Sequence, residues 1–118
     1  MDSTALDPLI VSYTAAWSEP DAAKRRQLLQ TVWDAQGQYI DPFADVTGRE
    51  ALHALIGHFL ADHPGTYFEV AGSIAHHHQS LRFFWKMKLA DGTEIPGMDY
   101  GEVSPEGKLS KIVGFFQL

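Results

Sequence analysis

The sequence predicts an α+β fold: three N-terminal helices packed on a strongly curved, mixed or antiparallel β-sheet, leaving a cone with an interior. Two observations carry this. Apolar residues recur at spacings of three and four through the first half of the chain, then at a spacing of two through the second. Glycine, proline and aspartate cluster between those stretches, where turns need them. The 118 residues suit a single domain spanning 1–118, since domains commonly run to about 100–150 residues.

Leu6, Leu9, Ile10, Tyr13, Ala16 and Trp17 form the stripe of a first helix. Asp7 and Pro8 suit its N-cap and first helical position, because a proline deeper in a helix clashes with the preceding turn. Glu19, Pro20 and Asp21 break that helix and begin a second, with Leu28, Leu29, Val32 and Trp33 buried and Gly37 near its end. Residues 38–41 read as a short strand stopped by Pro42. Thr47, Gly48, Arg49 and Glu50 have the spacing of a capping box, in which threonine accepts from the third helical N–H and glutamate reaches back. The helix that follows carries Leu52, Leu55, Ile56, Phe59 and Leu60 on one face and ends at His63, Pro64 and Gly65. Strands are predicted over 67–71, 73–79, 81–89, 94–103 and 108–117, divided by Gly72, by Asp91-Gly92 and by the turn Ser104-Pro105-Glu106-Gly107.

Composition excludes several functions. Nine Lys and Arg against fifteen Asp and Glu give a net charge of −6, so there is no basic footprint for nucleic acid or an anionic membrane. The absence of cysteine removes disulfides, thiol catalysis and cysteine-type zinc sites. No apolar run approaches the roughly 20 residues of a membrane helix. The acidic N-terminus lacks the regions of a signal peptide. The expectation is a cytoplasmic protein with neither nucleic-acid nor membrane partner.

Several strings, in order along nearly the whole chain, resemble the nuclear transport factor 2-like superfamily with its cystatin-like cone, in particular its SnoaL-like and ketosteroid isomerase-like branch. They are Tyr13-Thr-Ala-Ala-Trp17, Tyr39-Ile-Asp-Pro-Phe43, Gly48-Arg-Glu-Ala-Leu52, Arg82-Phe-Phe-Trp85, Gly97-Met-Asp99 and the stretch from Glu106 to Phe116. The resemblance implies a homodimer formed through the sheet and a small hydrophobic molecule held in the cone. Compared with the isomerases, it also implies a base at Asp41, before Pro42, and an oxyanion hole made by Tyr13 and Asp99. The pocket would be lined by Trp17, Phe43, His78, Phe83, Trp85 and Phe116.

That chemistry needs two acids with opposite jobs. One carboxylate takes a proton from carbon beside a carbonyl, while a protonated carboxyl and a phenol donate to the developing enolate. Each residue also has a structural reading. Asp41 before proline can cap a loop, and Tyr13 lies on an apolar stripe where a core tyrosine belongs. Asp99 sits in a strand, where aspartate is disfavoured, between Gly97 and Gly101, whose small size suggests room for a ligand. Lys86, Lys88 and the three consecutive histidines depart from the isomerase pattern, so a steroid substrate is not implied.

His53, His58 and His63 read as surface residues of the third helix and its exit. His76 and His78 would share one face of a strand, a spacing that suits a metal, but no Asp or Glu nearby completes a set. No metal or cofactor is expected. A histidine of 76–78 lining the pocket as a proton carrier or donor is the stronger reading. Arg82 is expected on the outer face of the sheet.

The function expected is that of an isomerase, cyclase or dehydratase acting on a small hydrophobic carbonyl compound. The alternatives are a non-catalytic ligand-binding or dimerisation module, and an assembly adaptor whose cone is plugged by Trp17, Trp33 and Trp85. The hairpin before Asp99 tests the first. A two-residue loop at Asp91-Gly92 would turn Asp99 to the face of Lys86 and Lys88. The expectation is instead a three-residue loop with Gly92 left-handed, or a bulge near Pro96, either of which returns it to the side of Phe83, Trp85 and Met87. Phe84, Tyr100 and Phe115 are the candidates for the dimer surface.

Overall fold

The computed structural model describes residues 3–117. Helix α1 runs Ser3–Ala16 with Pro8 inside it, so the helix starts before the expected proline. The proline ring lies on the exposed face, opposite buried Leu6, Ile10, Tyr13 and Ala16. Its missing N–H therefore forfeits a helix bond without disturbing the core. Helix α2 spans Ala22–Val32, and Asp21 caps it by accepting from the Lys24 amide at 2.9 Å.

That helix stops at Val32, short of Gly37. Trp33 instead opens strand β1, Trp33–Asp41. Its indole N–H folds back to the Gly37 carbonyl at 3.3 Å. A side-chain carbon at Gly37 would stand 2.6 Å from the ring, so only glycine permits the approach. A strand that the sequence did not reveal, β2 over Ala44–Thr47, pairs antiparallel with β1.

Helix α3, Arg49–Asp62, lacks the capping box. Thr47 is held in the ladder opposite Gln38, so the cap falls on Gly48 at φ +97°, with no side-chain cap bond. Glu50 is drawn instead to Arg26 of α2, with Nη2 to Oε1 at 3.1 Å. His53 is another correction: it is buried, accepting at Nδ1 from Arg25 Nε at 3.2 Å, and Arg25 is buried with it.

Four strands complete the chain: β3 (Tyr67–His77), β4 (Ser80–Lys88), β5 (Glu94–Val103) and β6 (Leu109–Phe116). Gly72 does not divide two strands. It sits inside β3 at φ +79°, where the register shifts between Ala71 and Ala75 as a bulge. The six strands lie in the order β2-β1-β6-β5-β4-β3. Strands β1 and β6 run parallel and the other neighbours antiparallel, so the sheet is mixed and open.

The helices pack on one face of this sheet. The opposite face carries Arg82, its guanidinium 4.9 Å from the centroid of the Phe84 ring, and exposes Phe84 and Phe115. The loop joining β4 to β5 is Ala90-Asp91-Gly92: Leu89 N donates to Thr93 O at 2.9 Å, and Gly92 has φ +91°. Phe83 consequently opposes Asp99, and Trp85 opposes Gly97. Asp99 faces the helices, as a three-residue loop requires. Among the described residues no helix is long and apolar enough to cross a membrane.

Candidate functional site

Pairing alone brings the two acids together. Ile40 pairs with Val113, so Asp41 and Gly114 are next in line. Gly114 pairs with Asp99, and Asp99 with Phe83. A row of Asp41, Gly114, Asp99 and Phe83 therefore crosses the inner face of four strands. A side-chain carbon on Gly114 would lie 3.0 Å from Asp99 Oδ1 and 3.7 Å from both Asp41 Cβ and Tyr39 Oη. Glycine leaves a notch there, bounded by two carboxyls and a phenol.

Each acid has its own surroundings. Asp41 is half-buried. Its Oδ2 accepts from Tyr39 Oη at 2.7 Å, and its Oδ1 accepts from the Phe43 amide at 2.8 Å. Asp99 is 6% exposed and accepts at Oδ1 from Trp85 Nε1 at 2.9 Å. Burial pushes its carboxyl up to about 7; the indole bond opposes that shift and the charge of Asp41 adds to it. Tyr13 accepts from Trp17 Nε1 at 3.0 Å, and its ring stacks on Trp33. Burial, then the Asp99 charge, raises the Tyr13 hydroxyl well above an ordinary phenol. Burial does the same to Tyr39, followed by the effect of Tyr13.

Over this row lies a cavity of about 340 Å³. Asp41, Tyr13, Trp17, Phe43, Phe83, Trp85 and Phe116 all line it. Asp99 is not among the lining residues. It lies beneath the wall, joined to it through Trp85. Gly97 and Gly101 do not make room for a ligand, because protein fills their space. The indole of Trp85 covers Gly97, while Ile112 and Leu81 crowd Gly101. Trp17 and Trp85 stand in the cavity wall and Trp33 is fully buried, so the three tryptophans do not plug it.

His78 lies elsewhere. With Gln79 it forms the two-residue turn between β3 and β4, both at positive φ, and it is exposed. Its side chain meets His77 Nδ1 at 3.4 Å and borders a separate hollow of about 40 Å³. A tight turn, rather than a strand, carries it away from the cavity. Among the described residues no group of three or more His, Asp or Glu could hold a metal ion.

Among the lining residues that sequence reasoning missed are Tyr39, Phe59, His63 and Phe68. Tyr39 carried a signal: it stands two residues before Asp41, hence on the same face of a strand. Phe59 and Phe68 come from α3 and β3, and only the tertiary fold brings them to Trp17.

Solved structures of the same architecture exist. A proposed isomerase of the SnoaL-like family from Agrobacterium tumefaciens is 30% identical, matching over 98% of this chain and 99% of its own with a TM-score of 0.90. An NTF2-like protein of unknown function from Mesorhizobium loti is 19% identical over 98% of this chain and 93% of its own, at TM-score 0.73. A proposed SnoaL-like polyketide cyclase from Jannaschia sp. CCS1 is 12% identical over 92% and 85%, at TM-score 0.72. The last two share the fold. No protein-family model and no curated protein matches the chain.

Proposed function

Because the chain belongs to the SnoaL-like family, we propose that it binds a small hydrophobic carbonyl compound in this cavity and moves a proton on it, as an isomerase, cyclase or dehydratase does. The observation that carries the reading is the contrast between the two acids flanking Gly114. Asp41 reaches the cavity with both oxygens hydrogen-bonded, whereas Asp99 is buried and holds its proton to about pH 7. Opposite environments assign opposite roles to paired carboxyls.

In this mechanism Asp41 takes a proton from the carbon beside the carbonyl. The electron pair moves onto the carbonyl oxygen, which receives a hydrogen bond from the Tyr13 hydroxyl in the cavity wall and, by entering the Gly114 notch, one from the Asp99 hydroxyl beneath it. Each donor is itself the acceptor of an indole N–H, Tyr13 from Trp17 and Asp99 from Trp85, and accepting one bond strengthens the next. Return of the proton from Asp41 to another carbon completes an isomerisation. Its transfer from Asp41 to a β-hydroxyl, which leaves as water while the enolate pair forms the C=C bond, completes a dehydration. The working unit is a homodimer covering the outer face of the sheet.

Titration with a panel of substituted phenols, as enolate mimics, tests the donors. Wild-type affinity should rise with phenol acidity, and Asp99→Leu should flatten that trend. Asp41→Asn should keep the trend. With a carbonyl substrate in hand, it should lower turnover by about 10²–10⁴-fold, the usual contribution of a general base. Equal affinities across the panel for all three proteins would leave a passive ligand-binding module.

A further inference from the structure

Six aromatic rings form an unbroken belt round the cavity. Tyr39 meets Trp17 with centroids 5.2 Å apart, Trp17 meets Phe68 at 5.8 Å, and Phe68 meets Trp85 at 5.5 Å. Trp85 meets Phe116 at 5.5 Å, and Phe116 meets Phe43 at 6.1 Å. These contacts are tilted or edge-on, from 44° to 72°, and none is a flat stack. The two ends of the belt are joined by a single carboxylate. Asp41 accepts from the Tyr39 hydroxyl at one end and from the Phe43 amide at the other.

Among the described residues no lysine or arginine lines the cavity, and Asp41 takes part in no ion pair. Among the described residues His63, at the exit of α3, is the one imidazole of the lining; its ring stacks on Phe59 and its Nδ1 lies 3.1 Å from the Phe59 carbonyl.

We propose that this belt is a binding site for an organic cation, a quaternary or protonated amine on an apolar body, with Asp41 as its counter-ion. Aromatic faces attract cations through their quadrupole, and the attraction grows where water is excluded. A carboxylate set among rings, without a protein cation beside it, leaves a charge for the ligand to balance. The charge of Asp41 also disfavours a phenolate at Tyr13, in the same sense as attraction of a cation. The net charge of −6 favours cation entry from a distance. The site shares the cavity and Asp41 with the proton-transfer reading but uses neither donor, so the two are tested by different ligands.

Benzyltrimethylammonium and neopentylbenzene have the same shape, with nitrogen in one where the other has carbon. Calorimetric and tryptophan-fluorescence titration of the wild-type chain should find the cation bound about tenfold more tightly or better, with phenylacetate the weakest of the three. In Asp41→Asn the preference for the cation over neopentylbenzene should shrink severalfold, while retained binding of neopentylbenzene shows that the cavity is intact. Equal or tighter wild-type binding of neopentylbenzene, or no binding of the cation, overturns the proposal. The phenol panel reads the donor pair and the cation ratio reads the belt, so either can fail alone.

Discussion

Trp85 donates its indole N–H to Asp99 Oδ1 at 2.9 Å across the space above Gly97. A side-chain carbon at Gly97 would stand 2.2 Å from that ring, so the bond depends on glycine beneath it. The carboxyl it holds is pushed from 3.8 to about 7 by burial. The folded chain therefore keeps a proton that the unfolded chain releases.

Stability should accordingly fall as pH rises from about 4 to about 7, and level off beyond. Asp99→Asn keeps an acceptor for Trp85 but cannot titrate. Its advantage over wild type in urea unfolding should grow between about pH 4 and about pH 7 and stay constant above. A constant difference across that range would show that Asp99 titrates as an ordinary aspartate.

Gly114→Ala should close the notch. The added methyl would stand 3.0 Å from Asp99 Oδ1, closer than comfortable contact. Asp99 must give by a few tenths of an ångström to admit it, so an overpacking cost of about 1–3 kcal/mol is expected. Phenol affinity should fall by about tenfold, as expected for losing a charge-assisted hydrogen bond. Unchanged affinity alongside an unchanged thermal midpoint would move the polar end of the ligand away from Gly114.

The buried pair of Arg25 and His53 should make the packing of α2 on α3 acid-sensitive. Arg25 Nε donates to His53 Nδ1, which requires a neutral imidazole. Burial first, then the two arginines Arg25 and Arg26, lowers the His53 pKa from 6.5. The unfolded chain then binds the extra proton, so this contribution is present above about pH 6.5 and lost as pH falls through the lower folded value. In His53→Gln, which keeps an acceptor, the acid limb of the stability profile should be shallower.

Dimerisation should depend on one row of the outer face. Phe84 opposes Met98, and Met98 opposes Phe115. Two of the three are exposed aromatics, at 45% and 54%. An isologous contact would cover them. Sedimentation should give twice the 13.1 kDa chain mass, and Phe115→Glu should give a monomer. A monomeric wild type at micromolar concentration would reject the interface.

Periodicity made the helical stripes and the strands legible, and the collinear strings pointed to Tyr13 and Asp41, which line the cavity, and to Asp99, which lies beneath its wall. What escaped was long-range. The indole of Trp33 folds onto Gly37 and converts an apparent helix end into β1. His53 looked like a surface residue because its partner, Arg25, lies 28 positions away on another helix. Asp99 looked open to a ligand because nothing local told that the space over Gly97 belongs to Trp85. Thr47 and Glu50 had capping-box spacing, yet the ladder with Gln38 and the ion pair with Arg26 claimed them.

Residues 90–92 are exposed and line no part of the cavity, yet they decide which way Asp99 faces. Side chains alternate along a strand, so one residue more or fewer in this loop would slide β5 against β4 and turn Asp99 out to solvent; two would restore it. Insertions and deletions at this tip thus carry a parity. A single-codon change should abolish the donor while sparing the helices, and a two-codon change of the same loop should be tolerated. The length of this outlying loop is inherited as part of the site.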